Sequence, residues 1–155
     1  MKQAPRVVTI GECFSATLAL SADSVKSFAT LVHDTNPLHH DDAYAAHSRF
    51  GGLIASGTQP TAHFMALLAA HYSQHAQPLG LEFDIKLKKA VYAQDTLTMT
   101  WRVLDAWWKP SLGGDLTQLA GDVVNQRGET VLLGVSTILV MPKPAHDSAQ
   151  ESESS

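Results

Sequence analysis

Hydrophobic and polar residues alternate strictly in the second half of the chain. The alternation runs through residues 81–88 and again through residues 96–103. A period of two is typical of antiparallel strands with one face buried. Two further segments, 116–125 and 130–141, predict two more strands joined by a turn at Gln126-Arg127-Gly128. Between the second and third of these strands, residues 107–114 are predicted to form a long hairpin loop containing two tryptophans.

The first half of the chain has a mixed pattern. Residues 11–20 predict a strand, and Ser21 is suited to cap a helix over residues 22–33, whose apolar residues fall on one face. Asp41 or Asp42 can cap a second, short helix that ends near His47.

A third helix is predicted to begin near Gly57 or Thr58, because Pro60 is tolerated only in a first helical turn. From residue 62 to residue 70 its only polar residue is His63, which predicts a core helix enclosed by other structure. Helices followed by strands indicate an α+β domain, with an antiparallel sheet wrapped around this central apolar helix. We assign residues 1–141 to one domain and expect the polar, Ser-rich residues 142–155 to be a disordered tail.

Composition narrows the classes of function. The 155 residues carry a net charge of −4 without a basic stripe, which argues against nucleic-acid binding. Only 17% of residues are charged, which favours an oligomer that hides part of its surface. One cysteine, no apolar leader and no run of about 20 apolar residues predict a cytoplasmic protein that does not enter membranes.

Asp34 and His39 are candidates for acid-base chemistry. They lie five positions apart across a bend stiffened by Pro37, close enough to hold one water between them. Taken alone, the pair is better explained by an aspartate that ends a helix and a histidine that packs or caps. Gly57 adds weight, because it lies at the start of a buried helix, where free backbone N–H groups can bind an acyl oxygen. A tight turn that needs glycine for its angles is the alternative interpretation of Gly57.

Two separated motifs resemble the signature of MaoC-like, (R)-specific 2-enoyl-CoA hydratases. They read Asp34-Thr35-Asn36-Pro37-Leu38-His39-x-Asp41 and Phe50-Gly51-x-x-Ile54-Ala55-x-Gly57. The resemblance implies a hot-dog fold and a homodimer, with Asp34 and His39 holding the water that adds to a trans-2-enoyl thioester, most simply a CoA ester. It also implies that the Gly57 N–H binds the thioester carbonyl and that Asn36 orients the loop. Which of Asp34 and His39 is the base stays open, because their protons are coupled.

Further residues around the motifs are predicted to bind substrate, namely Asn36, Ile54, Ser56 and Thr58. Lys86 and Lys88, with Lys89 beside them, are candidates for the phosphates of coenzyme A, although a solvated strand face explains them as well. No cofactor is expected beyond the coenzyme A of the substrate. No metal is expected, because neither His39-His40 with Asp41-Asp42 nor His71 with His75 has a third ligand at a recognised spacing. A hot-dog thioesterase and a non-catalytic acyl-thioester-binding protein are the alternative functions.

Overall fold

A computed structural model of the chain describes residues 1–145. Within them the helices and strands are β1 (Cys13–Ala19), α1 (Ala22–Leu31), α2 (Asp42–His47), α3 (Thr58–Tyr72), β2 (Ala76–Leu87), β3 (Thr96–Lys109), β4 (Gly114–Val124) and β5 (Thr130–Pro142), with a single 3-10 turn at Pro37–His39. Pro142, the first residue assigned to the polar tail, still belongs to β5. Residues 146–155 of the predicted tail lie outside the described residues.

The strands form one antiparallel sheet in the order β1-β3-β4-β5-β2, and α3 packs against one face of it. Phe64 of α3 stacks on Trp101 of β3 with ring centres 4.1 Å apart, and the Trp101 indole donates a hydrogen bond to the Phe64 carbonyl. Gly134 of β5 leaves room for this stack, because a Cβ there would lie 2.7 Å from the Phe64 ring. The predicted α+β architecture, a sheet packed on a central helix, is confirmed.

Only one side of α3 is buried in the single chain. Phe64, Leu68 and Tyr72 face the sheet, whereas the opposite side, with Ala66, Ala69 and other small residues, is exposed. The expectation that this helix is enclosed on nearly all sides is therefore wrong for one chain. The pattern could not reveal this, because alanine is apolar enough for a core and small enough for a surface.

The segment with two tryptophans is strand and not loop. β3 extends to Lys109, and its pairing with β4 continues past a bulge between Val103 and Asp105. The bulge shifts the register and breaks the alternation of apolar and polar residues, so the pattern did not predict this part of the strand. The chain then turns tightly over residues 110–113 into β4. Trp107 and Trp108 are covered by the N-terminal segment of the same chain, with Lys2 Nζ 3.7 Å from the centre of the Trp107 ring.

Among the helices within residues 1–145, none combines the length and apolarity needed to cross a bilayer. In the same part of the chain, no three or more histidine, cysteine, aspartate or glutamate side chains converge in a way that could hold a metal ion.

Candidate active site

Asp34 is placed by the way α1 ends. The N–H of His33 donates to the Thr30 carbonyl, and the N–H of Asp34 donates to the Ala29 carbonyl at 2.8 Å. This pair of bonds is a Schellman motif, and His33 takes its left-handed position with φ 61°. The chain therefore leaves the helix in a fixed direction at the residue that carries the carboxylate.

The next turn brings the imidazole to the carboxylate. The Asn36 side chain accepts a hydrogen bond from the Leu38 N–H, which starts the 3-10 turn that contains His39. The Asn36 N–H donates to Asp34 Oδ1 at 3.1 Å. As a result, His39 Nε2 lies 3.4 Å from Asp34 Oδ2. Asn36 thus orients the loop, as the resemblance implies, through the hydrogen bond that its side chain accepts from the Leu38 N–H.

His39 is held in one tautomer by a backbone group. Its Nδ1 lies 2.7 Å from the Ile54 carbonyl oxygen, which can only accept, so Nδ1 carries the proton. In the neutral imidazole, Nε2 is then an acceptor and faces an acceptor oxygen of Asp34 across 3.4 Å. A water molecule that donates to both atoms satisfies this arrangement. The His39 side chain is only 8% exposed, whereas the Asp34 side chain is 31% exposed.

The Asp34 carboxylate is also bound by a serine. Ser56 Oγ donates to Asp34 Oδ2 at 2.6 Å, and Thr58 Oγ1 lies 2.9 Å from Ser56 Oγ. The Ser56 hydroxyl first, and the Asn36 N–H second, hold the pKa of Asp34 below its usual range, and the nearby His39 adds to this. Asp34 is therefore ionised at neutral pH.

Gly57 lies at the tip of α3, beside this pair. The chain reaches it through a short extended segment in which the Ala55 N–H donates to the Val91 carbonyl at 2.7 Å. The Gly57 N–H has no hydrogen-bond acceptor within residues 1–145. Its φ of −57° suits any residue, so glycine is not needed for the backbone angles. A Cβ at this position would lie 2.4 Å from Leu87 Cδ2, so the exposed Leu87 side chain would have to move to make room.

A cavity of about 330 Å³ opens between the tip of α3 and the end of β2. His39 and Gly57 line it together with a mainly apolar wall that includes Phe50, Ile54, Ala55, Pro60, Leu87, Ala90, Val91 and Leu132. Lys88 and Lys89 line the same cavity, whereas Lys86 does not. Its volume is at the lower end of the range for ligand sites, which is roughly 300 to 1,000 Å³.

The structure brings most of the predicted site residues together. Asp34 contacts both His39 and Ser56. His39, Ile54 and Gly57 line the cavity, whereas Asp34, Asn36 and Ser56 do not. Thr58 is exposed and contacts Ser56.

Sequence reasoning missed two contacts of this site. One is the Ile54 carbonyl, a backbone group that has no signature in a sequence. The other is His40, whose Nε2 donates to the Asp34 carbonyl at 2.6 Å. The position of His40 directly after His39 is the only feature of the sequence that could have indicated its place in the site.

The fold and the site define a class of protein, namely a hot-dog domain with an aspartate–histidine pair beside the N-terminus of its central helix. Comparison with known proteins agrees. A MaoC-like domain is recognised over residues 6–109. The structure resembles the (R)-hydratase PhaJ1 of Pseudomonas aeruginosa with a TM-score of 0.76 and 25% identity, covering 88% of this chain and 84% of that one.

Two relatives match in sequence. The uncharacterized protein YdeM of Bacillus subtilis is 32% identical over 135 residues, which is 85% of this chain and 94% of YdeM. A mitochondrial 3-hydroxyacyl-[acyl-carrier-protein] dehydratase of Arabidopsis thaliana is 27% identical over 66 residues, which is 43% of this chain and only 40% of the relative. The chain belongs to the MaoC-like dehydratase family. This membership supports a hydratase or dehydratase.

Proposed function

We propose that the protein catalyses the reversible addition of water to a trans-2-enoyl thioester, giving an (R)-3-hydroxyacyl thioester, with a CoA ester as substrate. The observation that carries the proposal is the distance of 3.4 Å between Asp34 and His39, because His39 lines the same cavity as Gly57, whose N–H is free. The likeness to an (R)-hydratase supports the reaction and its stereochemistry.

The two side chains then hold the water and transfer its proton. Asp34 is ionised, so it accepts a proton from water as the oxygen bonds to C3. His39 keeps its proton on Nδ1, so its neutral Nε2 accepts a hydrogen bond from the other O–H of the water and orients the attack. The protonated Asp34 then delivers its proton to C2, which restores the carboxylate. The sum of these steps is the addition of one water, and the reverse sequence is the dehydration.

Gly57 supplies the third element. When water attacks C3, negative charge builds on the thioester oxygen in an enolate-like state. The Gly57 N–H and the 15-residue helix α3 behind it suit that charge. A single donor of this kind contributes about 3 to 4 kcal/mol in a site that excludes water.

The lining of the cavity supports a CoA ester. The apolar side chains of Ile54, Leu87 and Val91 suit an acyl chain, while Lys88 and Lys89 place positive charge at the same cavity for the phosphates of coenzyme A. We infer no metal or redox cofactor, since the addition of water needs only proton transfers and a bound thioester.

The test is to incubate the protein with crotonyl-CoA and follow the loss of the conjugated double bond, then to determine the configuration of the product. We expect (R)-3-hydroxybutyryl-CoA from the wild type, and the same product from Asp34→Asn at a rate about 10² to 10⁴ times lower. Release of free CoA would indicate a thioesterase. Binding without conversion would indicate a non-catalytic acyl-binding protein, and either of these results would overturn the proposal.

We further infer a homodimer formed along β2. This strand is an edge of the sheet, and it exposes Leu79, Leu81 and Leu87, while α3 exposes its alanine side nearby. Pairing with a second copy would cover this edge, as unprotected apolar edges favour aggregation. Light scattering should then give twice the 16.7 kDa of one chain. The mass of a single chain at micromolar concentration would contradict it.

A further inference from the structure

We propose that Ser56 is a positioning residue that holds the Asp34 carboxylate in its reactive orientation and in its ionised form, with Thr58 fixing the direction of the Ser56 hydroxyl. The kinetic consequence of this role rests on the proposed function. The effect of Ser56 on the carboxylate itself does not, and it can be measured without turnover.

The hydrogen-bond chain has only one possible direction. Asp34 is ionised, so Ser56 must use its single hydroxyl proton in the 2.6 Å bond to Oδ2. Ser56 Oγ can then only accept from the Thr58 hydroxyl at 2.9 Å. Thr58 therefore donates to Ser56, and Ser56 donates to Asp34, because each hydroxyl has only one proton. Ser56 has no proton left to donate to a substrate. This contact differs from the substrate-binding role that the motif suggested for Ser56.

The bond fixes the orientation of the carboxylate. Ser56 binds Oδ2, which is also the oxygen that faces His39 Nε2. The Asn36 N–H binds the other oxygen, Oδ1. Two donors on two different oxygens restrain rotation about the terminal bond of Asp34. Without Ser56, a side chain that is 31% exposed would keep only one of these restraints.

Ser56 is itself rigidly placed. It is 1% exposed and lies between Ala55, whose N–H is bonded to Val91, and the first turn of α3. Its backbone carbonyl accepts a bond from the Gln59 N–H at 2.9 Å. Because the Ser56 hydroxyl is held in place, it can fix the position of the more mobile Asp34 carboxylate. A preorganised site of this kind does not need to reorganise during the reaction.

The charged surroundings of Asp34 do not replace this bond. The imidazole of His39 faces the carboxylate, and His40 binds the Asp34 backbone carbonyl. Lys88 and Lys89 line the cavity that His39 also lines. Among the influences on the pKa of Asp34, the Ser56 hydroxyl lowers it most, ahead of the Asn36 N–H and of both histidines. Removing the hydroxyl should therefore raise the pKa of Asp34 towards its ordinary value of 3.8.

The first test is kinetic and uses Ser56→Ala. We expect kcat to fall about tenfold, as for loss of a hydrogen bond to a charged group, with little change in KM. The acid limb of the pH profile of kcat should move to higher pH. Thr58→Val, which removes only the second bond, should give a smaller change in the same direction.

Ser48→Ala is the matched control. Ser48 is also partly buried in the loop before α3, but its hydroxyl donates to the Ala45 carbonyl and does not touch Asp34. It should leave both kcat and the acid limb unchanged. A merely structural role for Ser56 would lower the stability of the variant without moving the acid limb, and that result would overturn the proposal.

The second test does not depend on catalysis. The carboxyl carbon of Asp34, labelled with carbon-13 and assigned by its loss in Asp34→Asn, is titrated by NMR in the wild type and in Ser56→Ala. A higher pKa in Ser56→Ala supports the proposal even if the wild type hydrates no enoyl thioester, in which case only the proposed function fails. An unchanged titration overturns the inference and leaves the hydratase proposal intact. If Ser56→Ala does not fold, Thr58→Val decides between the same two outcomes.

Discussion

The two ends of α3 use polar groups in opposite ways. At the C-terminal end, Tyr72 is fully buried and its hydroxyl donates to Glu12 at 2.5 Å, while the neighbouring His71 stacks on Phe14 with ring centres 3.7 Å apart. Burial, followed by the bond to Glu12, raises the pKa of the Tyr72 phenol well above its usual value. At this end the phenol is both buried and paired.

At the N-terminal end, some polar groups have no ordinary hydrogen-bond partner. The Gly57 N–H has no acceptor within residues 1–145, and His39 Nε2 faces Asp34 across a gap longer than an ordinary hydrogen bond. These groups adjoin a cavity and not a packed interior. A buried polar group that is fully paired contributes to stability, whereas groups left open at a cavity are available to a substrate. The comparison therefore separates residues expected to matter for rate from those expected to matter for folding.

The largest expected effect is on turnover of the enoyl thioester by Asp34→Asn. The amide cannot accept the proton of the attacking water, so kcat should fall by about 10² to 10⁴. The single amide oxygen can accept from only one of the two donors, the Ser56 hydroxyl or the Asn36 N–H, because these bind different oxygens of Asp34. We therefore expect a modest fall in the unfolding temperature, which is measured alongside kcat. A variant that retained the wild-type rate would remove Asp34 from the mechanism.

Gly57→Ala should have the next largest effect. Its backbone angles suit alanine, so stability should be nearly unchanged, but the new Cβ would meet Leu87 Cδ2 and narrow the approach to the N–H. We expect kcat/KM to fall roughly tenfold, less than the loss of about 10² to 10³ on removal of a donor, because the N–H itself remains.

Gly57→Ala with Leu87→Ala shows which contact is responsible. If the new methyl group blocks the thioester, the double variant stays as slow as Gly57→Ala. If the only fault is displacement of Leu87, the double variant recovers to the rate of Leu87→Ala alone. Recovery would indicate that the Gly57 N–H does not bind the substrate carbonyl.

Tyr72→Phe tests the other end of α3. Loss of the hydroxyl leaves Glu12 without its short hydrogen bond, and we expect the free energy of unfolding to fall by about 1 to 3 kcal/mol. The kcat of the folded protein should be unchanged, because this end lies 14 positions along the helix from Thr58. A large loss of kcat with an unchanged free energy of unfolding would contradict the conclusion that the C-terminal end of α3 contributes to stability and not to rate.

The same division describes what the sequence could predict. The motif around Asp34 and His39 and the glycine before α3 identified the N-terminal end of α3 as the candidate site, because these residues have a fixed spacing in the sequence. Within residues 1–145 every strand was predicted, two of them from strict alternation, but the prediction of β2 began at residue 81 and missed residues 76–80. Alternation also failed beyond Val103, where a bulge changes which residues face the core. The partner of His39 Nδ1 is a backbone carbonyl, and the bond from Ser56 to Asp34 joins residues 22 positions apart. Neither has a local signal in the sequence.

The smallest expected effect concerns the paired charges beside the cavity. Glu129 binds Lys89, which lines the cavity, and also Arg127 at 2.8 Å, and these bonds lower its pKa from 4.5 to about 2. Because the folded pKa is the lower one, the pairing stabilises the fold fully above pH 4.5 and is lost as the pH falls towards 2. Glu129→Gln should therefore unfold at a slightly lower temperature than the wild type near pH 7, and the difference should shrink between pH 4.5 and pH 2. High salt at pH 7 should reduce it as well, since the groups are exposed. A difference in unfolding temperature that stayed constant across this pH range would mean that the charge of Glu129 contributes nothing to stability.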